Sequence, residues 1–178
     1  MKQMTIAKLV AVAAAGLLSQ AAFADGGTVN FNGQIVNSPC SIAPSSQNIT
    51  VPMGTVSSAA LSAVGNKSTP SKFQILLQCV SLPKTGASVT FTGTADATVP
   101  ANLALANAGQ VGVSSATGVA IQLGDSAGTP IALGSASGTY TLGLGDNPLN
   151  FQAAYIATKS AVTVGPANAT AQFVITYL

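Results

Sequence analysis

Two cysteines, Cys40 and Cys79, and four aspartates, Asp25, Asp96, Asp125 and Asp146, are the residues of this sequence with most to offer chemically. The chain contains no histidine, glutamate, arginine or tryptophan. Composition therefore excludes serine–histidine catalysis, imidazole-ligated zinc and glutamate general bases. The aspartates lie far apart, each beside Gly, Ser, Asn or Ala in an expected turn, and read as solvated loop carboxylates. EF-hand loops, phosphate loops and dinucleotide fingerprints are absent, and Gly143-Leu144-Gly145 reads only as a turn. These residues predict no enzyme, no cofactor and no metal site. Asn48-Ile49-Thr50, Asn66-Lys67-Ser68 and Asn168-Ala169-Thr170 fit the N-glycosylation pattern, but in a chain this rich in Ser and Thr they read as coincidence.

The chemistry left is that of the cysteines, and it depends on compartment. Lys2 and Lys8 precede and flank an apolar run, Leu9 to Leu18, and Ala22-Phe23-Ala24 supplies the small residues a signal peptidase reads. Residues 1–24 read as an export signal, with the mature chain starting at Asp25; the run is shorter than the roughly 20 residues a membrane helix needs. Outside the inner membrane thiols are oxidised, so Cys40 and Cys79 are expected to pair. The chain-entropy model gives such a bridge about 4 kcal/mol. After cleavage four lysines balance four aspartates. A neutral chain without arginine or a basic run lacks the footprint for nucleic acid.

The elements that must position these residues are strands. From Gly27 onward, β-branched and aromatic residues alternate with Ser, Thr, Asn and Gln, punctuated by Gly and Pro. Thr28 to Val36 sets Val29, Phe31, Gly33 and Ile35 against polar residues, an apolar face interrupted by one glycine. Further strands are expected at 49–56, 73–80, 87–93, 119–124, 130–133, 139–142, 151–157 and 171–178, with turns at 81–86, 124–128 and 143–148. The Ala-, Gly- and Ser-rich stretch 94–118 is left open between a short helical turn and a long loop. The result is one all-β domain.

Several segments in order resemble a chaperone–usher pilin, most closely the major rod subunit of type 1 fimbriae. Gly26 to Asn37 followed by Cys40 is similar to the family's donor strand leading to its first cysteine, and Cys79 ends a strand as the second cysteine does. Phe151 to Ala157 resembles a strand of the type 1 rod subunits. Gly165, fourteenth from the end, and the penultimate Tyr177, with apolar alternation over Ala171 to Leu178, resemble the family's C-terminal signature.

The resemblance implies an incomplete immunoglobulin-like sandwich that lacks its last strand and is completed in trans. Residues 25–37 would be a donor-strand extension and 38–178 the pilin domain. Gly27, Val29, Phe31, Gly33 and Ile35 would face the groove of a neighbouring subunit. Gly165, Ala171, Phe173, Ile175 and Tyr177 would carry the acceptor strand and C-terminal motif, with Val174 on the other face. The implied partners are copies of the chain, a periplasmic chaperone and an outer-membrane usher, and the implied product is an adhesive cell-surface fimbrium reached through the periplasm. Competing readings are a minor adaptor pilin, a small outer-membrane β-barrel and a sugar-binding or tip-adhesin sandwich. Few aromatics and the cysteine pair oppose the barrel; the lack of tryptophan and of room for a second domain opposes the adhesin.

Overall fold

The computed structural model describes residues 28–30, 33, 35, 38–81, 86–107 and 114–178. They fall into two units, Met1–Val36 and Asn37–Leu178. In the first, Thr28, Val29, Asn30, Gly33 and Ile35 are exposed and form no ladder. The signal segment, Asp25, Gly27 and Phe31 lie outside the described residues.

The second unit is built of strands β1 (Cys40–Ile42), β2 (Ser71–Cys79), β3 (Ala87–Gly93), β4 (Leu103–Ala104), β5 (Val119–Asp125), β6 (Pro130–Ile131), β7 (Gly145–Ala157) and β8 (Ala171–Tyr177), with two short 3₁₀ turns. One sheet runs β1-β2-β7-β5-β4, with β6 also on β5, and the other is the antiparallel pair β3-β8. Alternation explains the layering: Phe73, Ile75, Leu77 and Cys79 of β2 point into the core while Lys72, Gln74 and Gln78 face out. Between the sheets, Phe151 stacks on Phe73 at 5.7 Å between ring centroids and meets Phe91 edge-on at 5.1 Å.

The structure departs from the sequence reading in four places. The strand containing Phe151 begins at Gly145, six residues earlier than expected and inside the expected turn. Pro148 is tolerated there because its ladder partner Leu76 directs its own backbone groups toward Ser46 and Ala43. The proline nitrogen therefore faces away from β2, on the side where β5 has already ended at Asp125 opposite Phe151. Second, residues 139–142 give only an isolated bridge between Tyr140 and Ala87; nearby, the Ser137 hydroxyl accepts the Val89 N–H in place of a backbone carbonyl. Third, β4 lies inside the Ala-, Gly- and Ser-rich stretch 94–118, and β1 is a strand additional to those expected. Fourth, residues 49–56 form no strand: Pro52 lacks a donor, Gly54 turns at φ +67°, and no described strand pairs with the segment, which β2 meets through the Ser71 hydroxyl donating to Pro52 O at 2.8 Å.

Candidate functional site

Cys40 and Cys79 are bonded and sit opposite each other in the β1–β2 register, with Cα atoms 3.9 Å apart. Beyond β1 the chain leaves the first sheet. Ser46 Oγ accepts the Leu76 N–H at 2.9 Å, and residues 48–56 then cross the open side of the sandwich without one backbone–backbone hydrogen bond among the described residues. That is an unusual length of unpaired main chain.

Across from it runs β8, whose pairing is one-sided. The N–H of Leu178 donates to Gly86 O at 2.9 Å, so the even-numbered residues bond to β3. By the alternation of an antiparallel ladder, the backbone groups of Ala171, Phe173, Ile175 and Tyr177 point to the opposite edge. Nothing among the described residues pairs with that edge. The side chains of the same four residues turn toward the core but stay only half-buried. Between residues 47–54 and 167–174 lies an open groove of about 990 Å³. Its floor includes Phe73, Phe91, Leu103, Ile121, Leu123 and Tyr155, and no charged side chain among the described residues lines it. An unpaired edge beside a neutral, apolar trough can do one thing well, which is to accept a further strand.

Two tyrosines fasten the groove's ends. Tyr177 Oη donates to Cys40 O at 3.1 Å, and Tyr155 Oη donates to Ala167 O at 2.7 Å. Burial pushes the Tyr155 hydroxyl above its ordinary pKa, so it remains a donor. Gly165 lies outside β8. A Cβ there would stand 2.7 Å from Ala116 N and 2.8 Å from Ser115 C, so this glycine is required by close backbone approach where the chain turns toward the groove rim. Sequence reading missed the contribution of residues 47–54 and of Tyr155; their only signal is an apolar alternation that also fits a paired strand.

The family model described as fimbrial protein matches residues 29–178. The chain belongs to the fimbrial protein family. It is 40% identical to the type-1 fimbrial protein A chain of Escherichia coli, over 99% of this chain and 100% of that one. It is 37% identical to the type 1 fimbrial subunit of Salmonella typhimurium, over 97% and 95%. A solved chaperone–usher pilus structure concerned with rod uncoiling matches at TM-score 0.70 and 29% identity, over 86% of this chain and 96% of that chain. The fimbrial subunit is therefore a structural, exported component of a surface fimbrium, with the incomplete immunoglobulin-like sandwich that its open groove displays.

Proposed function

We propose that this fimbrial subunit polymerises by donating residues 25–37 as a strand to the groove of a neighbouring copy, and that it is a rod-forming subunit with no enzymatic activity. The observation that carries this reading is the unpaired edge of β8 at Ala171, Phe173, Ile175 and Tyr177 facing the unpaired segment 48–56. Residues 27–35 suit the trough: they carry no charge, and Val29, Phe31 and Ile35 recur at the period of a strand's single face. Burying each would contribute about 1.5–3 kcal/mol before the entropy of ordering the segment is subtracted.

In transit a periplasmic chaperone lends a strand to the same groove, and an outer-membrane usher exchanges it for the next subunit's. Strand addition to a sheet edge underlies both steps. Because one chain carries donor and acceptor, a homopolymeric rod subunit is preferred over a minor adaptor, and the fibre it builds supports adhesion. Residues 1–24 are removed first; Edman sequencing of surface fibres should begin at Asp25.

The test compares chaperone-bound subunit in the periplasm with fibre on the surface. Gly33→Leu and Phe31→Asp should accumulate in the periplasm and fail to assemble, the first by filling a shallow part of the groove and the second by burying a charge. Wild-type fibre from Gly33→Leu, or loss of the periplasmic pool, would count against the reading.

A further inference from the structure

Among the described residues of the second unit, four large apolar side chains are more than 60% exposed, and they stand at its two ends. At one end Val80 and Leu144 are 88% and 69% exposed. Each lies one residue beyond the last β2–β7 pair, Cys79 with Gly145. Leu144 is held out by a turn in which the Asn147 side chain accepts the Gly143 N–H and donates to the carbonyls of Gly143 and Gly145. The N–H of Val80 donates to Pro39 O at 3.1 Å, so this end is where the N-terminal segment joins the domain.

At the other end Val64 and Val164 are 62% and 83% exposed. The N–H of Gly65 donates to Ala157 O at 2.9 Å, and Thr163 bridges to Thr117 just before β5. Both valines thus flank the Ala157 end of β7, which spans 13 residues, or about 40 Å.

Resting on the strand-donation reading above, we propose that these two ends meet: Val80 and Leu144 of the donating copy pack against the Val64 and Val164 end of the receiving copy. Chain length gives the first half of the case. Only three residues separate Ile35 from Pro39, a reach of roughly 14 Å over the four Cα-to-Cα steps. A copy that receives Ile35 must therefore lie against the Val80 end of the copy that donates it.

Polarity gives the second half. Tyr177 is tied to Cys40 at the Val80 end, while Ala167 is tied to Tyr155 near the Ala157 end, so the groove runs from one end to the other. A strand leaving the groove at the Val80 end would put both neighbours of every copy at that end. A fibre that extends needs a head-to-tail contact between different surfaces. The donated strand therefore leaves at the Ala157 end, antiparallel to β8, and brings the donor's Val80 and Leu144 there. The four side chains themselves are apolar, and burying them contributes to the contact.

The test places a benzophenone-bearing amino acid at Leu144 in one strain and at Ile35 in another, irradiates intact fibres, and maps the cross-linked peptides by mass spectrometry. The Leu144 probe is expected to capture a neighbouring copy within residues 62–67 or 159–166. Capture elsewhere, or none, while the Ile35 probe still reaches residues 47–54 or 167–174, overturns this contact and leaves strand donation standing. An Ile35 probe that never reaches the groove overturns strand donation itself, and this contact with it.

Discussion

The hydroxyl of Tyr177 donates to the carbonyl of Cys40 across 3.1 Å, joining residues 137 apart in sequence. The bond fastens the free-edged strand β8 to the first sheet at the disulfide, so the acceptor edge is held at the end where its chain stops. Tyr177→Phe keeps the ring and removes the bond. It should cost the strand-completed subunit about 0.5–1.5 kcal/mol in urea unfolding. Tyr177→Ala, which also strips apolar area from the groove rim, should cost distinctly more. Equal losses would mean the bond contributes nothing.

Two glycines, Gly33 and Gly165, should differ in their response to alanine. A Cβ at Gly165 falls 2.7 Å from Ala116 N, backbone that cannot yield cheaply, whereas a Cβ at Gly33 meets nothing within 4 Å. Gly165→Ala should destabilise the isolated subunit by roughly 1–3 kcal/mol, the range for overpacking. Gly33→Ala should leave the isolated subunit unchanged. Thermal melts of the two variants beside wild type check both halves.

Removing the disulfide should lower the supply of subunit before it affects fibre geometry. Cys40→Ser or Cys79→Ser opens a loop closed across 39 residues and should cost about 2–5 kcal/mol. The expected readout is a reduced periplasmic pool, with the surviving fibres of normal width by electron microscopy.

Stability should be flat through neutral pH and fall only at the extremes, because the chain has no histidine. On the acid side, the Asp125 carboxylate accepts the N–H groups of Thr129 and Ala127 at 2.8 and 2.9 Å. These bonds, that from Thr129 foremost, hold its pKa below the ordinary 3.8. Its contribution is present above that value and is lost as pH falls through the lower folded one. On the alkaline side, burial raises the Tyr155 and Tyr140 hydroxyls above 10.0, with the Asp125 charge adding to the effect on Tyr140. Their neutral forms support the fold below 10.0, and that support is lost as pH rises toward their folded values. Denaturation midpoints across pH should show a plateau, with an acid limb that Asp125→Asn reduces.

What was legible in the sequence was whatever period 2 alone decides. β3 was read with its observed bounds, β2, β5 and β8 nearly so, because one face of each packs on the core and a one-residue slip would expose Phe91, Ile75 or Phe173. The first half of β7 was illegible because Gly145 and Pro148 are turn residues by type; only the position of Pro148 opposite Leu76, away from β5, makes it admissible. β4 has two residues, too few to show a period. At the groove, the apolar face of β8 was readable and its missing partner was not, since an unpaired edge and a paired one carry the same alternation. Residues 49–56 were misread for that reason.

The most direct test of the account moves the proposed donor strand to the other end of the chain. β8 ends at Tyr177, whose hydroxyl is tied to Cys40, and a strand antiparallel to β8 would begin at that end, so residues 25–37 are deleted from the N-terminus and appended after Leu178 through a short Gly/Ser linker. Urea unfolding of this subunit, compared with one whose appended segment carries Phe31→Asp and Gly33→Leu, is the measurement. Strand donation predicts a monomer that no longer polymerises, needs no chaperone, and unfolds in one cooperative transition at a much higher midpoint than its substituted counterpart. Equal midpoints, or continued polymerisation by the rearranged chain, would contradict it.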